Sequence, residues 1–103
     1  MKNSGKKLRV CPCESCIYEF ELIEGEQLKG LISSSCEIDI YFVNNSNFSA
    51  WLSGESFNHE CCKESISYAE IHYSASKEGT WYLLIENNGK KTANIEIMLN
   101  VSS

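Results

Sequence analysis

The chain is poor in the residues on which most enzyme chemistry depends. Among its 103 residues there are two histidines, His59 and His72, one proline and six glycines. The glycines fall singly at turns, so no glycine-rich loop is available to cradle a phosphate. The carboxylates are scattered without the paired spacing that hydrolysis of a glycosidic bond requires. No apolar run approaches the roughly 20 residues needed to span a bilayer, so no membrane span is expected. The opening, MKNSGKKLRVCPC, is basic but lacks the apolar stretch of a secretory signal. If Met1 is the natural start, a cytoplasmic location follows.

Cationic charge is also in short supply: 9 basic residues stand against 14 acidic ones, a net charge of −5. An acidic surface repels phosphate backbones, which disfavours nucleic-acid binding. The local exception is the cluster Lys2, Lys6, Lys7 and Arg9. We expect a basic, solvated arm over residues 1–15 and one folded domain over 16–103.

What the chain does have is alternation. Tyr18, Phe20 and Leu22 alternate with Glu19 and Glu21, predicting a strand over 17–23. Glu24-Gly25-Glu26 turns the chain into a second strand over 27–33. Ser34-Ser35-Cys36 is expected to make the next turn, into a third strand over 37–43. The period then changes: behind an Asn45-Ser46-Asn47 cap, Phe48, Trp51 and Leu52 share one side of a short helix that Gly54 ends. Further strands are expected over 56–59, 66–74, 80–87 and 92–101. The broken alternation of 66–74 suggests a bulge or a sheet edge, and Asn87-Asn88-Gly89-Lys90 suggests a hairpin turn. About seven short strands with one short helix predict a single antiparallel β-sandwich with Greek-key links, in the all-β class.

Cysteine is the one reactive residue present in number: Cys11, Cys13, Cys16, Cys36, Cys61 and Cys62. If successive strands alternate in direction, all six fall near one end of the sandwich. The Cys-x-Cys-x-x-Cys spacing of the first three suits thiolate ligation of a zinc ion, with Cys36, Cys61 or Cys62 completing a tetrahedral set. Disulfides fit the even count and would imply a secreted, stapled domain that binds a carbohydrate or cell-surface partner. Buried free thiols fit as well. A Cys61–His59 dyad would share a strand face but has no third group to orient it, so no catalytic residue is assigned and an enzyme is not expected.

Three stretches, 37–42 (EIDIYF), 47–57 (NFSAWLSGESF) and 79–87 (GTWYLLIEN), carry a likeness to known domains. Together they resemble the small GOLD-like or pre-peptidase-C-terminal-like β-sandwiches of bacteria and archaea, over roughly residues 17–101. They are similar also to an uncharacterised bacterial domain found beside TIR domains. The resemblance implies an accessory or interaction module and carries no catalytic residues with it. The cysteine-rich lead-in and the Cys61-Cys62 pair depart from that pattern.

A partner-binding surface is expected where outward aromatics cluster. If the strands over 37–43 and 80–87 are neighbours, Tyr41, Val43, Tyr82 and Leu84 form an apolar patch on the outer face of a sheet. The competing expectation is that Phe48, Trp51 and Leu52 of the short helix cover it. Trp81, in phase with Leu83 and Ile85, is expected in the core. The sequence thus predicts a non-catalytic module that binds a protein partner and is stapled by a cysteine-built metal site.

Overall fold

Alternation along the chain becomes strands, and their pairing shows a layout that no single strand announces. The computed structural model describes residues 4–55 and 61–102. Its elements are β1 (Ser4–Val10), β2 (Ser15–Leu22), β3 (Gln27–Asn44), α1 (Asn45–Leu52), β4 (Cys61–Ser74), β5 (Gly79–Glu86) and β6 (Ala93–Ser102). All strand pairings are antiparallel.

β3 organises the rest. Residues 27–34 pair with β6, residues 39–44 pair with β5, and β4 runs along the opposite side of both halves. β1 lies outside β6 and β2 outside β5. The molecule is therefore one antiparallel sheet of long paths, creased across its middle and closed like a book into a sandwich. One layer is β1-β6-β3-β4, the other β2-β5-β3-β4, and the crease passes through residues 11–14, 34–38, 65 and 87–92.

The crease explains where sequence expectation and structure differ. Ser34-Ser35-Cys36 does not turn the chain back, and β3 continues through it as a single strand of 18 residues. Hydroxyls replace ladder partners there: Ser34 Oγ accepts from Cys36 N at 3.3 Å and Ser35 Oγ from Asn94 N at 2.9 Å. The strand can thus bend, with register shifts against β4 between Ser33 and Ile40, without ending. The bulge expected in 66–74 falls just before it, at Ser65, whose φ is +53° and whose N–H donates to Asp39 Oδ1. β4 is an edge strand, paired among the described residues with β3 alone.

Two further expectations are corrected. Residues 4–10 are not an arm but β1, because Leu8 and Val10 alternate inward among the basic residues and Val10 is buried. Nor do residues 87–92 close a hairpin, since β5 and β6 are not neighbours and the segment crosses from one layer to the other. Buried Asn87 holds that crossing. Its Nδ2 donates to Val10 O and Lys91 O at 2.8 and 2.7 Å, and its Oδ1 accepts from Gly89 N. The strand expected over 56–59 lies outside the described residues.

The core fills the fold of the book. Phe42 stacks on Trp81 (centroids 5.0 Å apart) from its own layer and on Tyr73 (4.9 Å). Leu28, Ile32, Ile71, Ile95 and Ile97 meet Ile40, Leu83 and Ile85 from the facing layer. Gly30 permits close strand approach, since an added Cβ would fall on the Met98 carbonyl.

Candidate binding face

The cysteines separate into two groups. Cys11 and Cys13 are exposed in the turn between β1 and β2, and Cys36 sits in the crease of β3. The Cys36 thiol donates to Lys91 O at 3.8 Å, the carbonyl that Asn87 also holds, and the Cys13 N–H donates to Asn87 O at 2.8 Å. Cys16 is the second residue of β2, opposite Ile85, and packs against the core. Burial pushes its thiol pKa up and keeps it protonated. Cys62 lies across the sheet, exposed on β4 opposite Tyr41. Three strand spacings, about 14 Å, separate the backbones of Cys16 and Cys62, far beyond the reach of two ligands on one ion.

The common pole inferred from alternating strands is therefore incomplete, because two of the strands counted are one. Among the described residues no group of three or more His, Cys, Asp or Glu side chains is placed to hold a metal, and Cys11, Cys13, Cys16, Cys36 and Cys62 are free thiols. The side chain of Cys61 and the whole of His59 lie outside the described residues. His72 pairs with Gln27 Oε1 at 3.0 Å on the surface.

Tyr41, Val43, Tyr82 and Leu84 do form one apolar patch on neighbouring strands, on the outer face of the β2-β5 layer. The chain covers the patch itself. Asn44 caps α1 through a bond from Asn47 N to its Oδ1, one residue earlier than the sequence suggested. Phe48 then stacks on Tyr82 with centroids 3.7 Å apart, and Trp51 Nε1 donates to Glu86 Oε2 at 3.1 Å. All four patch residues are buried. They form a second small core and not an open surface.

Among the described residues the other layer has no such cover. On the outer face of β1-β6-β3-β4, cross-strand register sets Lys7, Glu96, Ser33 and Tyr68 in one row and Met98, Leu31 and Glu70 in the next. Leu31 is 41 % exposed, Met98 38 % and Tyr68 58 %. Ser33 is the short side chain between taller neighbours, which leaves a groove of about 290 Å³ with an apolar floor and Lys7 and Glu96 at its margin. A second hollow adjoins it along Lys7, Arg9, Asn94 and Glu96. Sequence reading missed this face, yet its signal was present. Leu31 and Met98 are apolar residues in outward phase, Met98 among Asn94, Glu96 and Asn100.

No protein-family model matches the sequence, and no curated protein matches it. Solved structures do match in shape. The pre-peptidase C-terminal domain of a collagenase from Bacillus anthracis superposes with a TM-score of 0.69 at 13% identity, over 95% of this chain and 89% of that one. A mitogen from Yersinia pseudotuberculosis matches with a TM-score of 0.64 at 10% identity, over 96% and 85%. A periplasmic inhibitor of g-type lysozyme from Aeromonas hydrophila matches with a TM-score of 0.69 at 6% identity, over 97% and 86%. These likenesses establish the antiparallel β-sandwich, and the first agrees with the pre-peptidase-C-terminal-like resemblance at the level of fold.

Proposed function

We propose that this domain is a non-catalytic accessory module that binds a protein partner through the open outer face of β1-β6-β3-β4. One observation carries the reading: the two outer faces are treated differently. On one layer α1 covers the cluster of Tyr41, Val43, Tyr82 and Leu84 and leaves Ile17 at its edge, while the other layer leaves Leu31, Tyr68 and Met98 together in solvent around a groove. Apolar side chains clustered on a sheet face and bordered by charge have the composition of an interface centre and its rim. Proteins of this shape include the pre-peptidase C-terminal domain of a collagenase and a periplasmic inhibitor of g-type lysozyme, and a binding role is in keeping with them.

The test uses Leu31→Asp, Tyr68→Ala and Met98→Asp in the full chain. Partners captured by photo-crosslinking from a residue placed beside the groove are identified, and their affinities are then measured with purified components. Each variant should unfold at a midpoint close to that of the wild type. Tyr68→Ala should weaken binding by about 30-fold, the effect of losing an interface anchor worth about 2 kcal/mol. A partner that binds all three variants as tightly as the wild type would refute the assignment.

A further inference from the structure

β1 and β2 are edge strands, paired among the described residues only with β6 and β5 respectively. They border the same side of the sandwich. The turn at 11–14 joins them, and a slot of about 190 Å³ opens between them, lined by Lys6, Tyr18, Phe20, Ile97 and Leu99. The two edges carry opposite charge. β1 presents Lys6, Lys7 and Arg9, and β2 presents Glu19 and Glu21, all exposed. Ile17, on the outward face of β2, is 43 % exposed.

We propose that this seam binds a second copy of the chain, β1 of each copy adding to β2 of the other. Charge selects that pairing. Two β1 edges would set cations against cations and two β2 edges carboxylates against carboxylates, each destabilising across a strand pair. β1 against β2 sets Lys7 and Arg9 beside Glu19 and Glu21, with both sets on outer faces. Because the book-like closure makes β1 and β2 run in opposite senses, a two-fold axis along the strands forms both β1–β2 junctions at once, antiparallel. The interface is self-complementary and closes as a dimer without growing into a fibre. It also closes over the slot beneath Lys6 and gives the exposed Ile17 a cross-strand neighbour.

Sedimentation velocity on the intact chain tests the proposal. The wild type should be a dimer that weakens as salt rises. Lys7→Glu with Arg9→Glu, and separately Glu19→Lys with Glu21→Lys, should each weaken the dimer by about tenfold or more. An equimolar mixture of the two double variants should restore it, because every junction then again joins opposite charges. Restoration by mixing cannot arise from misfolding of either variant. A wild-type monomer at every soluble concentration would overturn the proposal. So would a dimer indifferent to both reversals and to salt, the outcome expected if the free edge of β4 were used. A mixture that stays monomeric while both variants keep wild-type unfolding midpoints would overturn it as well.

Discussion

At the scale of single residues, Asn87 does the most with the least exposure. It is fully buried, and its side chain ties the end of β1 to the crossing between β5 and β6. Its backbone adds bonds from Cys13 N and to Glu14 O. Asn87→Ala takes the amide donor from Val10 O in a buried setting and leaves Lys91 O with the weak Cys36 thiol. It should cost about 2–4 kcal/mol, read as a lower denaturant midpoint at unchanged slope. A midpoint within error of the wild type would mean that water replaces the amide.

Tyr41 makes a pH prediction. Burial first, then the carboxylates of Asp39, Glu86 and Glu64, raise its phenol pKa above the ordinary 10.0, and the hydroxyl donates to Glu64 Oε2. A pKa higher in the folded state means that the phenol's contribution is complete below pH 10 and is lost as pH rises through the folded value. Thermal stability should therefore fall above about pH 10. Tyr41→Phe should fall less steeply there, despite losing the Glu64 bond at neutral pH. Parallel alkaline profiles for the two proteins would remove Tyr41 as the cause. Exposure separates the thiols: iodoacetamide should modify exposed Cys11, Cys13 and Cys62 well before half-buried Cys16, whose pKa burial also raises.

Among the elements, α1 depends most on its surroundings. Eight residues form too short a helix to persist alone in water, so its stability comes from packing on β3 and β5. Phe48 and Trp51 supply that packing. Trp51→Ala should cost about 2 kcal/mol, a partial version of the loss seen for core aromatics. It should speed amide exchange through α1 ahead of β5 and raise binding of an apolar dye to the uncovered Tyr82 and Leu84. Equal acceleration in α1 and β5 would instead make the helix part of the global unit. The helix itself was legible in the change of period at Phe48, Trp51 and Leu52. That it lies over Tyr41, Val43, Tyr82 and Leu84 was legible only as one of two outcomes, since sequence places residues on faces but not faces on each other.

For the whole molecule, β3 and β4 belong to both layers, so neither layer can open while keeping the other intact. Unfolding should be a single transition, with tryptophan fluorescence and far-ultraviolet circular dichroism coinciding. Ile40→Ala, in the layer that contains β5, should cost about 2–5 kcal/mol. It should also lower amide protection in β6, in the opposite layer, by the same free energy. Protection of β6 that survives this substitution would show that the crease uncouples the layers.

The sequence by itself determined the all-β class, the strands now seen as β2, β5 and β6, the short helix and the central place of Trp81. These are written in local alternation and capping, which nearest neighbours along the chain suffice to set. Tertiary structure decided that β3 is one creased strand, that residues 4–10 join the sheet, and that residues 87–92 cross between layers. It also decided which outer face stays open. Each of these depends on partners distant in sequence, such as Asn94 N for the Ser35 hydroxyl and Val10 O for the Asn87 amide. The same serines and asparagines would serve a turn equally well if those partners were elsewhere.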